Sequence, residues 1–289
     1  MATTFEAIAS PRSTGFLRNL LKSPSGVIGL AIVAVLVAAA AFAPWIAPYD
    51  PLRMAAGPRF QPPSVGYWFG TDDFGRDVFS RIVYGARLTL QIGVIAVGIS
   101  LTSGLLLGLV AGYAGGWAER ILMRLVDVLF SFTEIVIALA CLAILGIGLT
   151  NAMIAIGIAS IPFYARVTHS IVLVEKGKPY FEAGIAAGAG HVRMIFLHLL
   201  PNVVPTLIVV GTLGISTAVL AAAGLSFLGL GAQPPQPEWG FMLSSSRDLI
   251  SRAPWMMIFP GMAIAITVLG FNLLGDGIRE VLDPRQAER

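Results

Sequence analysis

Six stretches of this chain are apolar enough to cross a bilayer as helices, and that constrains its fold more than any other feature. A hydrocarbon core about 30 Å thick takes about 20 residues of helix. The runs are residues 26–47, 88–113, 121–145, 152–174, 199–230 and 255–275, the fifth long enough to tilt or to contain a break. The first is too long for a secretory signal and ends in an Ala-Pro-Trp-Ile-Ala-Pro stretch, so it reads as a retained span. The expected fold is an all-α membrane protein of six transmembrane helices.

Composition closes off the soluble alternatives. Of 289 residues, 56% are hydrophobic and 12% charged, and the mean hydropathy is +0.81; a soluble domain carries about 25% charged residues. No stretch is left for a soluble catalytic domain. The net charge of +3 comes without a basic stripe interleaved with aromatics, so no nucleic acid partner is expected. The contact implied by composition is membrane lipid. Cys141, the single cysteine, lies in an apolar run and supplies neither a disulfide nor a metal-ligand set. No catalytic residue and no metal site is expected.

Lys and Arg placement orients the spans, because positive loops stay cytoplasmic. With both termini inside, 12 basic residues fall on the inner side and 7 on the outer, most of the latter in one long loop. The expected layout is therefore a cytoplasmic segment 1–25, a first transmembrane helix 26–47, an outer (periplasmic) loop 48–87, a five-helix core 88–276 and a cytoplasmic tail 277–289. The two outer segments, 48–86 and 231–253, are rich in Pro, Gly and aromatics, which favours packed loops over continued helix.

The inner loop at 175–198 has helix signals instead. Pro179 suits a first turn, Glu182 follows where the helix dipole favours an anion, and Arg193 stands towards the end. The run Glu182-Ala183-Gly184-Ile185-Ala186-Ala187-Gly188 is nearly all small. Gly costs about 1 kcal/mol relative to Ala in a helix, which is reasonable where another surface must approach the backbone. An ordinary linker between spans is the alternative.

Glu182-Ala183-Gly184, Gly188 and the Leu200-Pro201 ending resemble in spacing the EAA loop of binding-protein-dependent ABC importer permeases. Gly184 stands where the second Ala is usual and His198 where an Ile is usual. Phe69-Gly70-Thr71-Asp72-Asp73-Phe74-Gly75-Arg76-Asp77, Leu225-Ser226-Phe227-Leu228-Gly229-Leu230-Gly231 with its Gln-Pro-Pro run, and Asn272-Leu273-Leu274-Gly275-Asp276-Gly277-Ile278-Arg279 through Asp283-Pro284 resemble the C-type permease of dipeptide, oligopeptide and nickel importers. The resemblance implies a type I ABC importer permease fold with a cytoplasmic coupling helix. It implies as partners a homologous B-type permease, two cytoplasmic ATP-binding subunits and an outer substrate-binding protein. Glu182, Ala183, Gly184 and Gly188 would then form the ATPase-coupling element. The chain has no Gly-x-x-x-x-Gly-Lys-Ser/Thr loop to cradle phosphates, so it is not expected to be an enzyme; ATP and Mg would sit on the partner ATPases.

Two carboxylates in the third run are candidates for the transport pathway, since a charge at mid-bilayer costs at least about 2.5 to 3.5 kcal/mol. Asp127 and Glu134 are seven apart and would share a face of one helix, with Arg124 placed to neutralise Asp127. Glu134 has no partner close in sequence; it would either face a hydrated pathway and accept a cationic group or pair with the partner permease. Arg166 and His169, near the inner end of the fourth run, read as snorkelling residues in contact with lipid. The competing classes are an ion-coupled secondary transporter using Glu134, which two acidic residues and no duplicated halves disfavour, and an intramembrane hydrolase built on Ser226. The latter lacks the glycine two residues after the serine that a nucleophile elbow requires.

Overall fold

The computed structural model describes residues 18–282. Among these residues the regular structure is helical, apart from one isolated bridge between Thr71 and Asp77. Of the expected cytoplasmic segments 1–25 and 277–289, residues 1–17 and 283–289, with Asp283-Pro284, lie outside the described residues, and residues 277–282 continue the last helix, Trp255–Leu282. Five helices are long and apolar enough to span a membrane, or six when one sharply bent pair is taken as a broken span.

The first apolar run gives α1, Pro24–Ala41, and α2, Ala43–Ile46. Ser23 caps α1, its Oγ accepting from Gly26 N, and Pro24 occupies the first turn, where its missing N–H is not needed. α1 lies along the last span, α10, Trp255–Leu282, so closely that a Cβ on Gly29 would sit 2.2 Å from Leu274 N. Helix α3, Val78–Ala114, starts ten residues before the apolar window because Asp77 caps it: Asp77 Oδ2 accepts from Ser80 N at 2.8 Å. At 37 residues it is about 55 Å long, so one end stands clear of the hydrocarbon, within what had been expected to be outer loop.

The third run is not one helix. It divides into α4, Gly116–Phe130, and α5, Glu134–Leu145, which meet at 92°. At the junction Ser131 Oγ bonds back to Val128 O, and Thr133 is extended at φ −65°, ψ 140°. A side chain that satisfies local backbone groups competes with the helix in this way. Asp127 and Glu134 therefore belong to different helices, and the expectation that they share one face is corrected.

Helix α6, Leu149–Lys176, packs along α3, where a Cβ on Gly108 would lie 2.4 Å from Ala165 O. Close approach through small residues is how helices associate where no water remains to be expelled. Helix α7, Pro179–Ala186, is short and lies outside the spans; Arg193 belongs not to its end but to the following turn, His191–Arg193. A π-turn over Met194–Leu199 leads into α8, Leu200–Phe227. Helix α8 already ends at Phe227, ahead of Gly229 at φ +81° and of the Gln-Pro-Pro run, and the segment after that run is not all loop: α9, Trp239–Ser246, begins at Glu238, whose carboxylate accepts from Gly240 N and Phe241 N. Trp239 is buried there, and its Nε1 donates to Ile82 O. The central core joins Ile92 and Ala96 of α3, Leu142 of α5, Ile156 of α6 and Ala222 of α8.

Candidate functional site

Helix α7 begins at Lys178, extended at φ −84°, ψ 144°, with Pro179 in its first turn. Phe181 points inward and is 3% exposed, packing with Met194, Leu199 and Val203. Gly184 also faces inward: a Cβ there would lie 2.9 Å from Met194 Sδ. Glu182, Ala183, Ile185 and Ala186 form the exposed face. Gly188 ends the helix at φ +77°, a left-handed conformation that Gly adopts without strain, with nothing within 4 Å of its would-be Cβ. Its need for glycine thus lies in its own backbone rather than in a neighbour inside the chain.

Side chains tie this short helix to three spans. Glu175, at the end of α6 and 7% exposed, accepts from Lys178 Nζ and from the Tyr180 hydroxyl, each at 2.5 Å. Burial and the Glu175 carboxylate push the Tyr180 phenol pKa up, so it stays a donor. Asn202 in the first turn of α8 reaches Tyr180 and His198 O. Lys176 Nζ caps the carbonyls of Gly112 and Tyr113 at the end of α3, and the Tyr113 hydroxyl lies 2.7 Å from His191 Nδ1. Around α7 these side chains join the ends of α3, α6 and α8.

The two carboxylates of the third run have separate fates. Asp127 Oδ1 accepts from Arg166 Nη2 at 2.6 Å, and that guanidinium stacks 4.1 Å over the Phe130 ring. Arg166, not Arg124, is its partner. His169 Nε2 lies 2.9 Å from Glu119 Oε1, so in place of lipid-facing snorkelling residues the structure shows Arg166 ion-paired and His169 hydrogen-bonded to α4. Glu134 opens α5 and accepts from Ser160 of α6. It borders a cavity of about 470 Å³ whose walls come from α3, α6, α8 and α10. Ser100, Tyr164, Thr217 and Asn272 are its other polar residues. Charge-based reading missed them because uncharged polar residues are common in spans; only a four-helix arrangement makes them neighbours. Ser226 is fully buried, with its Oγ accepting from Ala232 N, which makes it structural. Among the described residues no group of three or more His, Cys, Asp or Glu is placed to hold a metal.

Residues 104–288 match the family described as binding-protein-dependent transport system inner membrane component, and residues 13–63 match the N-terminal TM domain of oligopeptide transport permease C. A dipeptide transport system permease protein of Alkalihalophilus pseudofirmus is 47% identical, over 93% of this chain and 88% of its own length. A di/tripeptide transport system permease protein of Pseudomonas aeruginosa is 45% identical over 93% and 91%. A glutathione transport system permease protein of Pectobacterium atrosepticum is 44% identical over 93% and 90%. In fold, the chain is similar to a methionine ABC transporter solved in inward-facing conformations, with a TM-score of 0.59 and 22% identity over 70% of this chain and 97% of the other. Nothing in these similarities supports an ion-coupled secondary transporter.

Proposed function

The chain belongs to the family of binding-protein-dependent transport system inner-membrane components, and from that premise we propose that it is one permease half of an ATP-driven importer for dipeptides, other short peptides or glutathione-like solutes. It sits in the inner membrane as a multi-pass protein. A homologous permease forms the other half, two ATP-binding subunits dock on the α7 side, and an outer binding protein delivers the solute. ATP and Mg are held by the ATP-binding subunits. The α7 side faces the cytoplasm, in keeping with the Lys and Arg distribution.

The observation that carries this reading is the tethering of α7. A helix that presents Glu182, Ala183 and Ile185 outward, while Tyr180 bonds to Glu175 of α6 and Phe181 packs with Tyr113 of α3 and Val203 of α8, can pass a rigid-body displacement to those spans. Closure of an ATPase pair beneath it would then tilt α3, α6 and α8 as hinge and shear motions do. Gly184 lets α7 lie against Met194, and Gly188 lets the chain turn back towards α8. The Glu134 cavity lies on the solute's route, whereas Asp127 pairs with Arg166 and is not among the residues that line it.

The test is import by proteoliposomes containing the whole complex, with ATP inside and binding protein outside, fed radiolabelled alanyl-alanine or glutathione. Import that requires ATP and is lost in Glu182→Lys, with the complex still assembled, is the expected result. ATP-independent uptake driven by an ion gradient would overturn the reading.

A further inference from the structure

We infer that the cavity between α3, α6, α8 and α10 receives the ammonium group of the travelling solute, with Glu134 as its counter-charge. This rests on the importer reading and adds the chemical feature that this wall of the route selects.

Depth is the first argument. Ser160, which holds Glu134, is the twelfth of the 28 residues of α6, about 16 Å from one end of the helix and about 24 Å from the other. A carboxylate at that depth is retained where it meets water, a cation or a donor, not hydrocarbon. Ser160 engages Glu134 Oε1 and leaves Oε2 without a hydrogen-bond partner among the described residues.

The sign of the cavity is the second. No Lys, Arg or His lines it. Arg166, six residues on from Ser160 in α6, does not line it, and its guanidinium is engaged with Asp127 and Phe130. A solute carboxylate would find repulsion here and a solute ammonium attraction.

Hydrogen-bond polarity is the third. Ser100 spends its proton on Ala96 O or Val97 O, and Thr217 on Gly214 O. Each hydroxyl then has only lone pairs left to offer. An ammonium has three donors and no acceptor, so it matches these two hydroxyls and the Glu134 carboxylate, while Asn272, whose Oδ1 already accepts from Ser216 Oγ, leaves its amide donors for another group of the solute. The Phe163 and Tyr164 side chains also border the cavity. A volume of about 470 Å³ lies within the range of about 300–1,000 Å³ usual for small-molecule sites.

The experiment uses the assembled importer in detergent without binding protein, so that selection by that protein does not enter. In a Cys141→Ser background, Thr217→Cys places a thiol on the cavity wall, and its maleimide labelling rate is followed against alanyl-alanine and N-acetyl-alanyl-alanine. The free amine should protect at about tenfold lower concentration, the size of one charge-assisted contact, and Glu134→Gln should remove the difference. Equal protection by both peptides, protection by neither, or a difference that survives Glu134→Gln overturns the inference. The comparison of the two peptides with Glu134 intact stands even if Glu134→Gln fails to assemble. Import by the same complex, measured with ATP and binding protein, reads the importer function separately: import without an amine preference sinks only this inference, and absence of import sinks the parent reading.

Discussion

The Tyr180 hydroxyl donates to Glu175 Oε2 at 2.5 Å, across the turn that joins α6 to α7. Glu175 is nearly buried and takes a second bond from Lys178. One carboxylate at the foot of a span thus fixes two residues at the start of the exposed helix, which makes this joint stiff where a plain turn would bend.

Tyr180→Phe should loosen that joint. Loss of a hydrogen bond to a charged group costs about 1.5 to 3 kcal/mol, reduced here because Tyr180 is 38% exposed. The expected result is a fall of about two- to fivefold in solute moved per ATP hydrolysed, with the complex assembled. Because the phenol pKa is raised, the stability it contributes is complete below the ordinary tyrosine value and is lost only as pH rises through the raised one. Coupling measured from pH 6 to 9 should therefore show no step from this residue; an alkaline step removed by Tyr180→Phe would count against the assignment.

The two glycines of the α7 region should respond oppositely to size. At Gly188, φ is +77° and the space beside it is open, so Gly188→Asn should be tolerated and Gly188→Ala should cost about 1–2 kcal/mol. At Gly184 the backbone is ordinary helix but Met194 Sδ is close, so Gly184→Val should displace α7. Limited proteolysis within residues 177–190 reports this directly. Faster cleavage in Gly188→Asn than in Gly184→Val would reverse the roles given to the two residues.

Hydropathy locates spans because burial in lipid is decided residue by residue along the chain, and α6 and α10 contain the windows read from the sequence. Features set by distant partners were not visible in that way. The break at 131–133 contains neither Pro nor Gly; it is held by Asp127 reaching 39 residues to Arg166 and by Glu134 reached from Ser160, 26 residues on. The early start of α3 did have a local sign, Asp77 three residues before Ser80, and so did α9, in Glu238 before Trp239-Gly240-Phe241. Each cap was hidden by the Pro and Gly around it. The small residues of α7 were legible as a surface, but Gly184 and Gly188 proved to be small for different reasons. The cavity residues Ser100, Tyr164 and Thr217 carry no charge and no spacing pattern, so only the packing of four helices brings them together.

Side-specific labelling tests the orientation. In the Cys141→Ser background, Gly66→Cys, where nothing lies within 4 Å of the added Cβ, should react with an impermeant maleimide in spheroplasts. Lys178→Cys at the start of α7 should react only after permeabilisation. Reaction of Lys178→Cys from outside would place α7 on the outer side and end the coupling role proposed for it.

Glu238 yields the last prediction, on the far side of the bundle from α7. It is 2% exposed and caps α9 through Gly240 N at 2.9 Å and Phe241 N at 2.8 Å. Burial raises its pKa, and those two N–H donors pull it back only in part. A carboxyl whose folded pKa is raised binds its proton more readily in the folded state. Its favourable contribution is therefore complete below the ordinary carboxylate value and is lost as pH rises through the raised one. Docking of α9, with Trp239 Nε1 on Ile82 O, should weaken across that interval. Glu238→Gln cannot titrate and keeps one carbonyl oxygen for the cap, so it should flatten the pH dependence at a constant cost of about 1 kcal/mol. Thermal unfolding of the two proteins in detergent between pH 4 and 8 makes the comparison: the Glu238 protein should lose stability relative to Glu238→Gln as pH rises, and a relative gain would show that the cap favours the ionised carboxylate.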